Sequence, residues 1–451
     1  MSLDQAEFWE RATKVLFPCT PMEREIVVGG QGAWLTTADG RRLLDMGGGQ
    51  VCSTFGHVNT AITQDICEQT ARLAHIGARF CSERAVAAGE AVLRIVPPGL
   101  TKVAFVSTGT EANEFAVRLA KIATGRTGMA APTHGYLGTS LMLRGLSEPF
   151  VEEPSAHPRP LQCHRFDWGA PGVSAKEAMI VARRVLDPVA DTLAALILEP
   201  ILGAHGILPL PDGLLSALSR YTQSIGALLI VDEAQTGMGR TGRWFACDHE
   251  EVRPDILVFS KCAGNGYPVA CVAMTDAVAD AVLCGGFFYL SSHQADPPAL
   301  AAVEATIRVA ESLDAPALAQ RKGKKLAEGL RALCANYGLL TQVTGRGMLL
   351  GVHCADYGEV PAALVSRRLF QVALNHGVVL GFGDWGGCLL LAPPLCATDE
   401  ELDLAVSVLE QTLQEVTLEL VSGVQLPVWS MPPPPTRRFL EGLAHFRERQ
   451  T

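Results

Sequence analysis

Short, nearly unbroken apolar runs recur through the middle of the chain, at residues 103–107, 193–198, 228–232, 256–260 and 269–274. Runs of this length without polar alternation suit strands covered on both faces, as inside a parallel sheet. Between them, residues 113–124, 175–186 and 214–223 carry apolar side chains at helical spacing. Strand and helix in alternation predict an α/β fold whose large domain, residues 55–310, holds a mostly parallel, doubly wound sheet.

After Pro316 the pattern changes. Residues 317–337 read as a long helix, 347–353 and 388–392 as strands, and 365–375 and 400–418 as helices. This predicts a smaller α+β domain over 311–420, completed by the N-terminal segment 1–54, in which 33–45 reads as a hairpin around Asp39-Gly40. The proline run at 432–435 predicts a semi-rigid spacer within a tail, 421–451, that ends in a short amphipathic helix at 438–449.

Composition narrows the classes. An apolar share of 48% is enough for a large core, and 47 acidic against 37 basic side chains give a net charge of −10. That balance repels a phosphate backbone, so nucleic acid is not expected as a partner. No apolar run approaches the ~20 residues that span a bilayer, so no membrane association is expected either. The acidic start, with Asp4, Glu7 and Glu10, lacks a secretory pattern, and the 13 cysteines include no C-x-x-C pair. These features predict reduced thiols and a cytoplasmic protein.

Three clusters carry candidate chemistry. Ser107-Thr108-Gly109-Thr110-Glu111 lies between a strand and a helix, where small residues present unpaired backbone N–H groups to an anion such as phosphate. Asp232 ends a buried strand, where open α/β sheets place ligands, and a buried carboxylate requires a cation. Lys261 ends another apolar strand, before a small-residue turn, and a lysine held so can offer a neutral amine to a carbonyl. Singly, each reads equally well as an N-cap, a strand-end cap or a surface lysine. Together they are the parts that pyridoxal 5′-phosphate (PLP) needs: a lysine for its aldehyde, a carboxylate for its ring nitrogen and a cup for its phosphate. Gly237-Met238-Gly239-Arg240-Thr241-Gly242 matches G-x-G-x-x-G literally, but Glu233–Thr236 separate it from the strand and no amphipathic helix follows. Dinucleotide binding is therefore not expected.

From Phe8 to about Leu418 the chain resembles the class III aminotransferases of PLP fold type I, and within them it is most similar to the 2,2-dialkylglycine decarboxylases. The stretches that carry the resemblance include Gly48-Gly49-Gln50, Ser107–Glu114, Glu199-Pro200-Ile201-Leu202, Asp232–Gly242, Pro254–Lys261 and Ala392-Pro393-Pro394. The resemblance implies a PLP-dependent transaminase, decarboxylation-dependent in its most specific form, that moves an amino group from an amino acid or amine to a carbonyl acceptor. An aminomutase, a racemase or a C–C bond-forming enzyme is the alternative, and an interaction module without turnover is a remoter one. The resemblance makes Lys261 the cofactor lysine and proton shuttle, Asp232 the partner of the ring nitrogen and Gln235 that of the phenolic oxygen. Thr108, Gly109 and Thr110 would hold the phosphate, joined by Ser292 of a neighbouring subunit, so a homodimer or homotetramer is implied. Gln50 would hold a substrate carboxylate perpendicular to the ring, and Glu199 and the position of Leu390 would line the substrate.

Four residues depart from that pattern. Thr133 stands where an aromatic residue stacks on the cofactor, leaving His134 or Tyr136 to cover the ring. The alkali-metal position of the decarboxylases keeps Ser292 and Asp296 but has Ala78 for a serine, and no metal is expected. Ala204 replaces a small hydroxyl residue. Leu390 stands where an arginine clamps a substrate carboxylate, which predicts an apolar pocket poor at taking simple oxo acids.

Overall fold

The computed structural model describes residues 5–17, 19, 22–147, 162–168, 172–383 and 387–422. Seven strands build the central sheet: β1 (Leu100–Val106), β2 (Gly128–Pro132), β3 (Gln162–Phe166), β4 (Leu193–Leu198), β5 (Leu228–Asp232), β6 (Ile256–Phe259) and β7 (Ala270–Thr275). Their spatial order is β1-β7-β6-β5-β4-β2-β3. Successive residues of β5 explain the unbroken apolar runs: Leu229 and Val231 pack into one core cluster and Ile230 into the other. Both faces are therefore covered. Each such side chain, fully buried, contributes roughly 1.5–3 kcal/mol.

The sheet is mostly parallel, as expected, with one strand reversed. Strand β7 runs antiparallel to both β6 and β1. Only residues 260–269 separate Phe259 from Ala270, and a parallel connection needs a crossover of about a dozen residues or more. The chain turns straight back instead. Strands β4, β5 and β6 pair in parallel, with Asp232 opposite Val258. The carboxyl ends of β1, β5 and β6 consequently share one edge, which gathers all three candidate clusters.

Beyond the sheet, Trp34–Thr37 and Arg42–Asp45 form an antiparallel hairpin. Arg42–Asp45 also pairs in parallel with Val378–Val379, which ties the N-terminal segment to the C-terminal part. A second four-stranded sheet has the order Leu340–Arg346, Leu349–Cys354, Cys388–Leu391, Gly381–Gly383. Helices Ala315–Asn336, Ala362–Asn375 and Asp399–Val421 belong to the same half of the chain. The segments 432–435 and 438–449 lie outside the described residues.

The literal G-x-G-x-x-G stretch is a packing device. Gly239 has φ +87°, and a Cβ there would meet Ala315 at 2.8 Å. Arg240, fully buried, donates to the carbonyls of Met348 at 3.2 Å and Pro393 at 2.5 Å and to Thr54 Oγ1 at 3.0 Å. This loop thus fastens the segment after β5 to the C-terminal strands.

Candidate active site

Asp232 ends β5 and is buried. Its Oδ2 accepts from Asn113 Nδ2 at 2.6 Å and its Oδ1 from the Ala234 N–H at 2.9 Å. Asn113 also donates to the Leu137 carbonyl at 2.8 Å, so one amide side chain fixes both the carboxylate and the turn after β2. Burial pushes the Asp232 carboxyl up, against the pull of these donors and of Lys261. A carboxylate in that position is stabilised by a further cation.

Glu199, just past β4, is likewise buried; its Oε1 accepts from the Tyr136 N–H at 2.7 Å and its Oε2 from the Gly203 N–H at 3.2 Å. Burial first, and then the neighbouring charge of Asp232, push its carboxyl up. Gln235 packs its amide against Gly203, where any Cβ would fall 2.5 Å from the amide carbon. At the end of β2, His134 has φ +66° and stacks on His205, ring centroids 4.1 Å apart.

Helix Gly109–Thr124 starts at this same edge with Thr108 as N-cap, whose hydroxyl accepts from the Glu111 N–H at 3.2 Å. The Glu111 carboxylate accepts from the Ser107 N–H and from the Tyr289 hydroxyl. Gly109 and Thr110 carry further first-turn N–H groups at this helix end, where an anion binds well. A Cβ at Gly109 would lie 2.7 Å from Ser260 Oγ, so glycine lets the helix approach the residue before Lys261. Lys261 is half-buried, and its charge acts on Asp232, Glu199 and Cys52. Ser292 is exposed, in a turn whose His293 carbonyl accepts from Ser107 Oγ at 3.3 Å.

Residues 47–51, which include Gln50, form a loop with an unusual backbone. Gly48, Gly49, Gln50 and Val51 all have φ between +57° and +69°. For Gln50 and Val51 this costs roughly 1–2 kcal/mol each, and the surroundings must enforce it. Asp45 does so: its Oδ1 accepts from the Gly47 N–H at 2.9 Å and its Oδ2 from the Gly49 N–H at 2.8 Å. Asp45 Oδ2 also lies 2.8 Å from His57 Nε2, and Ser53 Oγ lies 3.2 Å from His57 Nδ1. Next to this loop, Leu390 packs with Val51, Ile201, Ile207, Leu349 and Ala392.

Three buried polar atoms at this edge have no partner among the described residues: Asn113 Oδ1, Thr133 Oγ1 and Gln235 Oε1. Together with the buried Asp232 carboxylate, the glycine at 109 and the helix N-terminus, they suit a flat, polar, phosphorylated ring. The residues present fit PLP. Sequence reasoning missed Asn113 as the support of Asp232, and Asp45, Ser53 and His57 behind Gln50. An Asp before a Gly-Gly-Gly run was the one available signal, since short acceptors commonly hold such turns.

Residues 20–413 match the family model described as Aminotransferase class-III. An acetylornithine aminotransferase of Corynebacterium efficiens is 33% identical over 92% of this chain and 98% of its own. A 5-aminovalerate aminotransferase of Pseudomonas putida is 32% identical over 84% of this chain and 91% of its own. Among solved structures, a PLP-bound amine transaminase from an uncultivated Pseudomonas species superposes with TM-score 0.82 at 26% identity, covering 89% of this chain and 99% of its own. A transaminase from the marine bacterium Virgibacillus shares the fold, with TM-score 0.86 at 22% identity, over 92% of this chain and all of its own.

Proposed function

We propose a reaction and a substrate class from one premise: the chain belongs to the class III aminotransferases, which depend on PLP and use small-molecule amino donors and acceptors. Within that family we read it as a transaminase that prefers apolar partners to simple oxo acids. The observation that carries this is Leu390, buried at 6% exposure among Val51, Ile201 and Ile207, beside the Gln50 loop. An anion gains nothing from that wall. Acetylornithine and 5-aminovalerate, named for two relatives, are amines that also bear a carboxylate, so the preference separates this chain from them.

In this reading, PLP, when bound, draws electrons from the substrate's Cα bond into its protonated ring. Lys261 holds the cofactor and afterwards carries the Cα proton. Asp232, set by Asn113, keeps the proton on the ring nitrogen, and Gln235 donates to the phenolic oxygen. Thr108, Gly109 and Thr110 receive the phosphate, and Ser292 of a second copy reaches it in a homodimer. His134, held by its stacking on His205, would cover the ring where Thr133 cannot. The 13 free cysteines favour a reducing, cytoplasmic setting.

A narrower reading, loss of CO2 from 2,2-dialkylglycines, rests on Gln50. Its strained backbone, locked by Asp45, suits a side chain that must hold a carboxylate perpendicular to the ring. The test of the main reading is a half-reaction. Holoenzyme carrying the aminated cofactor is mixed with pyruvate or with a hydrophobic aldehyde, and return of the lysine-bound cofactor absorbance is timed. The aldehyde should react faster by about tenfold or more, since one charge-assisted hydrogen bond contributes roughly 1.5–3 kcal/mol. Equal rates would defeat the reading.

A further inference from the structure

Beneath residues 47–51 runs a polar chain to which the transaminase reading gives no part. Asp45 Oδ2 lies 2.8 Å from His57 Nε2, and Ser53 Oγ lies 3.2 Å from His57 Nδ1. A carboxylate only accepts, so Nε2 carries the hydrogen towards Asp45 and Nδ1 accepts from the Ser53 hydroxyl. We propose, on the reading of Gln50 as the group that holds a substrate carboxylate, that His57 is a positioning residue. Its Nε2–H holds the Asp45 carboxylate on the Gly47 and Gly49 N–H groups, and so keeps Gln50 in the backbone conformation from which its side chain meets the substrate.

A serine, a histidine and an aspartate in a row also describe a hydrolytic triad. Packing excludes that use: Ser53 is buried under Gly49, where a Cβ would fall 3.1 Å from Ser53 Oγ, which leaves no room for a substrate carbonyl. The chain is a support. Among the described residues Asp45 has three donors, the Gly47 and Gly49 N–H groups at 2.9 and 2.8 Å and the His57 ring. Two of these belong to the loop itself, so His57 is the donor that fixes the carboxylate from outside it. A hydrogen bond to a charged group is comparable in strength with the strain of one or two non-glycine residues in the left-handed region. Its loss is therefore enough to release Gln50 and Val51, whose φ angles are +59° and +69°.

The backbone around His57 is fixed independently of its ring. His57 and Gly32 exchange N–H···O=C bonds at 2.8 and 3.0 Å. Asn265 Oδ1 accepts from the Phe55 N–H at 2.8 Å, and its Nδ2 donates to the Gly56 carbonyl at 3.0 Å. Asn265 belongs to the turn after Lys261, so residues 55–56 are tied to that turn. Arg240 donates to Thr54 Oγ1 at 3.0 Å, and that hydroxyl donates to the Val51 carbonyl at 3.1 Å. The imidazole thus rises from a fixed base, and a change at the ring acts on the loop above it. Cys52 offers a reporter of that loop, since its thiol donates to the Gln50 carbonyl at 3.6 Å. Burial pushes this thiol up, which slows its alkylation while the loop is seated.

Two amides separate the donor from the bulk of the ring. A glutamine amide nitrogen stands as many bonds from Cα as imidazole Nε2, and an asparagine nitrogen as many as Nδ1. His57→Gln therefore keeps a donor to Asp45, and His57→Asn does not. Two quantities are measured on holoenzyme at matched cofactor content. One is bleaching of the lysine-bound cofactor absorbance by 2-aminoisobutyrate and by a simple amine without a carboxylate; the other is alkylation of Cys52 by iodoacetamide, timed by peptide mass mapping. His57→Ala and His57→Asn should slow the 2-aminoisobutyrate reaction by about tenfold or more relative to the amine, the factor set by one charge-assisted hydrogen bond, and should speed Cys52 alkylation. His57→Gln should stay near wild type in both. Equal behaviour of the two amide variants, equal slowing of both donors, or wild-type behaviour of folded His57→Ala would each overturn the role of His57. The amide pair carries the test where His57→Ala does not fold. If Gln50→Ala leaves the ratio of the two donors unchanged, the reading of Gln50 falls, and Cys52 alkylation still decides whether His57 holds the loop.

Discussion

Replacing Asn113 with alanine isolates the contact on which the Asp232 carboxylate leans. The Asn113 amide donates to Asp232 Oδ2 at 2.6 Å and to the Leu137 carbonyl at 2.8 Å. A hydrogen bond to a charged group contributes roughly 1.5–3 kcal/mol, and about 1.36 kcal/mol corresponds to one pKa unit. Without the amide, the Asp232 carboxyl should therefore be pushed further above the ordinary carboxylate range, in the direction burial already drives it. If Asp232 pairs with the cofactor's ring nitrogen as proposed, losing a bond of that strength would weaken its hold on the ring-nitrogen proton by about ten- to 150-fold. Cleavage of the substrate's Cα bond should slow accordingly. The assay is rapid mixing of holoenzyme with an amine donor, following bleaching of the lysine-bound cofactor, at matched cofactor content. Alanine also leaves the Leu137 carbonyl unpaired, which costs about 1–3 kcal/mol of stability. Ser147→Ala separates the two effects, because the Ser147 hydroxyl accepts from the Leu137 N–H at 2.9 Å and donates to the Gly138 carbonyl at 3.2 Å without touching Asp232. That variant should lose Tm and keep its rate. A wild-type rate in folded Asn113→Ala, or equal slowing in Ser147→Ala, would show that the Asn113 amide does not set Asp232.

Leu390→Arg should raise pyruvate use by about tenfold in the same half-reaction, one net charge-assisted bond surviving the burial of the guanidinium; no gain in a folded variant would mean that the wall does not face the substrate. Gln50→Ala should suppress CO2 release from 2-aminoisobutyrate more than it slows deamination of a simple amine, and equal losses would remove the narrower reading. Glu233 accepts from Thr236 Oγ1, from the Ala246 N–H at 2.8 Å and from the Cys247 N–H at 2.7 Å, and burial raises its carboxyl from 4.5 to about 7. A carboxyl raised in the folded state contributes stability that is complete below the unfolded pKa and lost as pH rises through the folded one. Wild-type unfolding free energy should therefore fall between about pH 5 and pH 8, by at most about 3 kcal/mol from this group, with Tm falling alongside, and Glu233→Gln should show a shallower slope; an unchanged slope would contradict the assignment.

Legibility in the sequence followed covering and charge. Strands β4, β5 and β6 were readable because both faces are buried, so their apolar runs are unbroken. Strand β3, with the sequence QCHRF, was not, because its polar residues sit at the sheet edge. The long helices Thr60–Arg72 and Pro297–Ser312 also escaped: the first is rich in polar residues, and the second is alanine-rich and buried on most sides, so neither shows a clean stripe. At the site, Asp232 and Lys261 stood out as single charges ending apolar runs. Asn113 did not, because an amide inside a helix has no pattern until the fold brings it to Asp232. The Asp45–His57–Ser53 chain was hidden for the same reason, its members meeting only through the turn at 47–51. The antiparallel return of β7 was a matter of connection length, which the apolar pattern alone does not encode.

In the proposed function, the carboxyl edge of the sheet holds PLP on Lys261. Borohydride reduction of the holoenzyme, followed by peptide mapping by mass spectrometry, tests it most directly. One pyridoxyl group per chain is expected, on the peptide containing Ser260-Lys261-Cys262, and none in Lys261→Ala. A pyridoxyl group on another lysine, or an unlabelled Lys261 in protein that carries the cofactor, would contradict it.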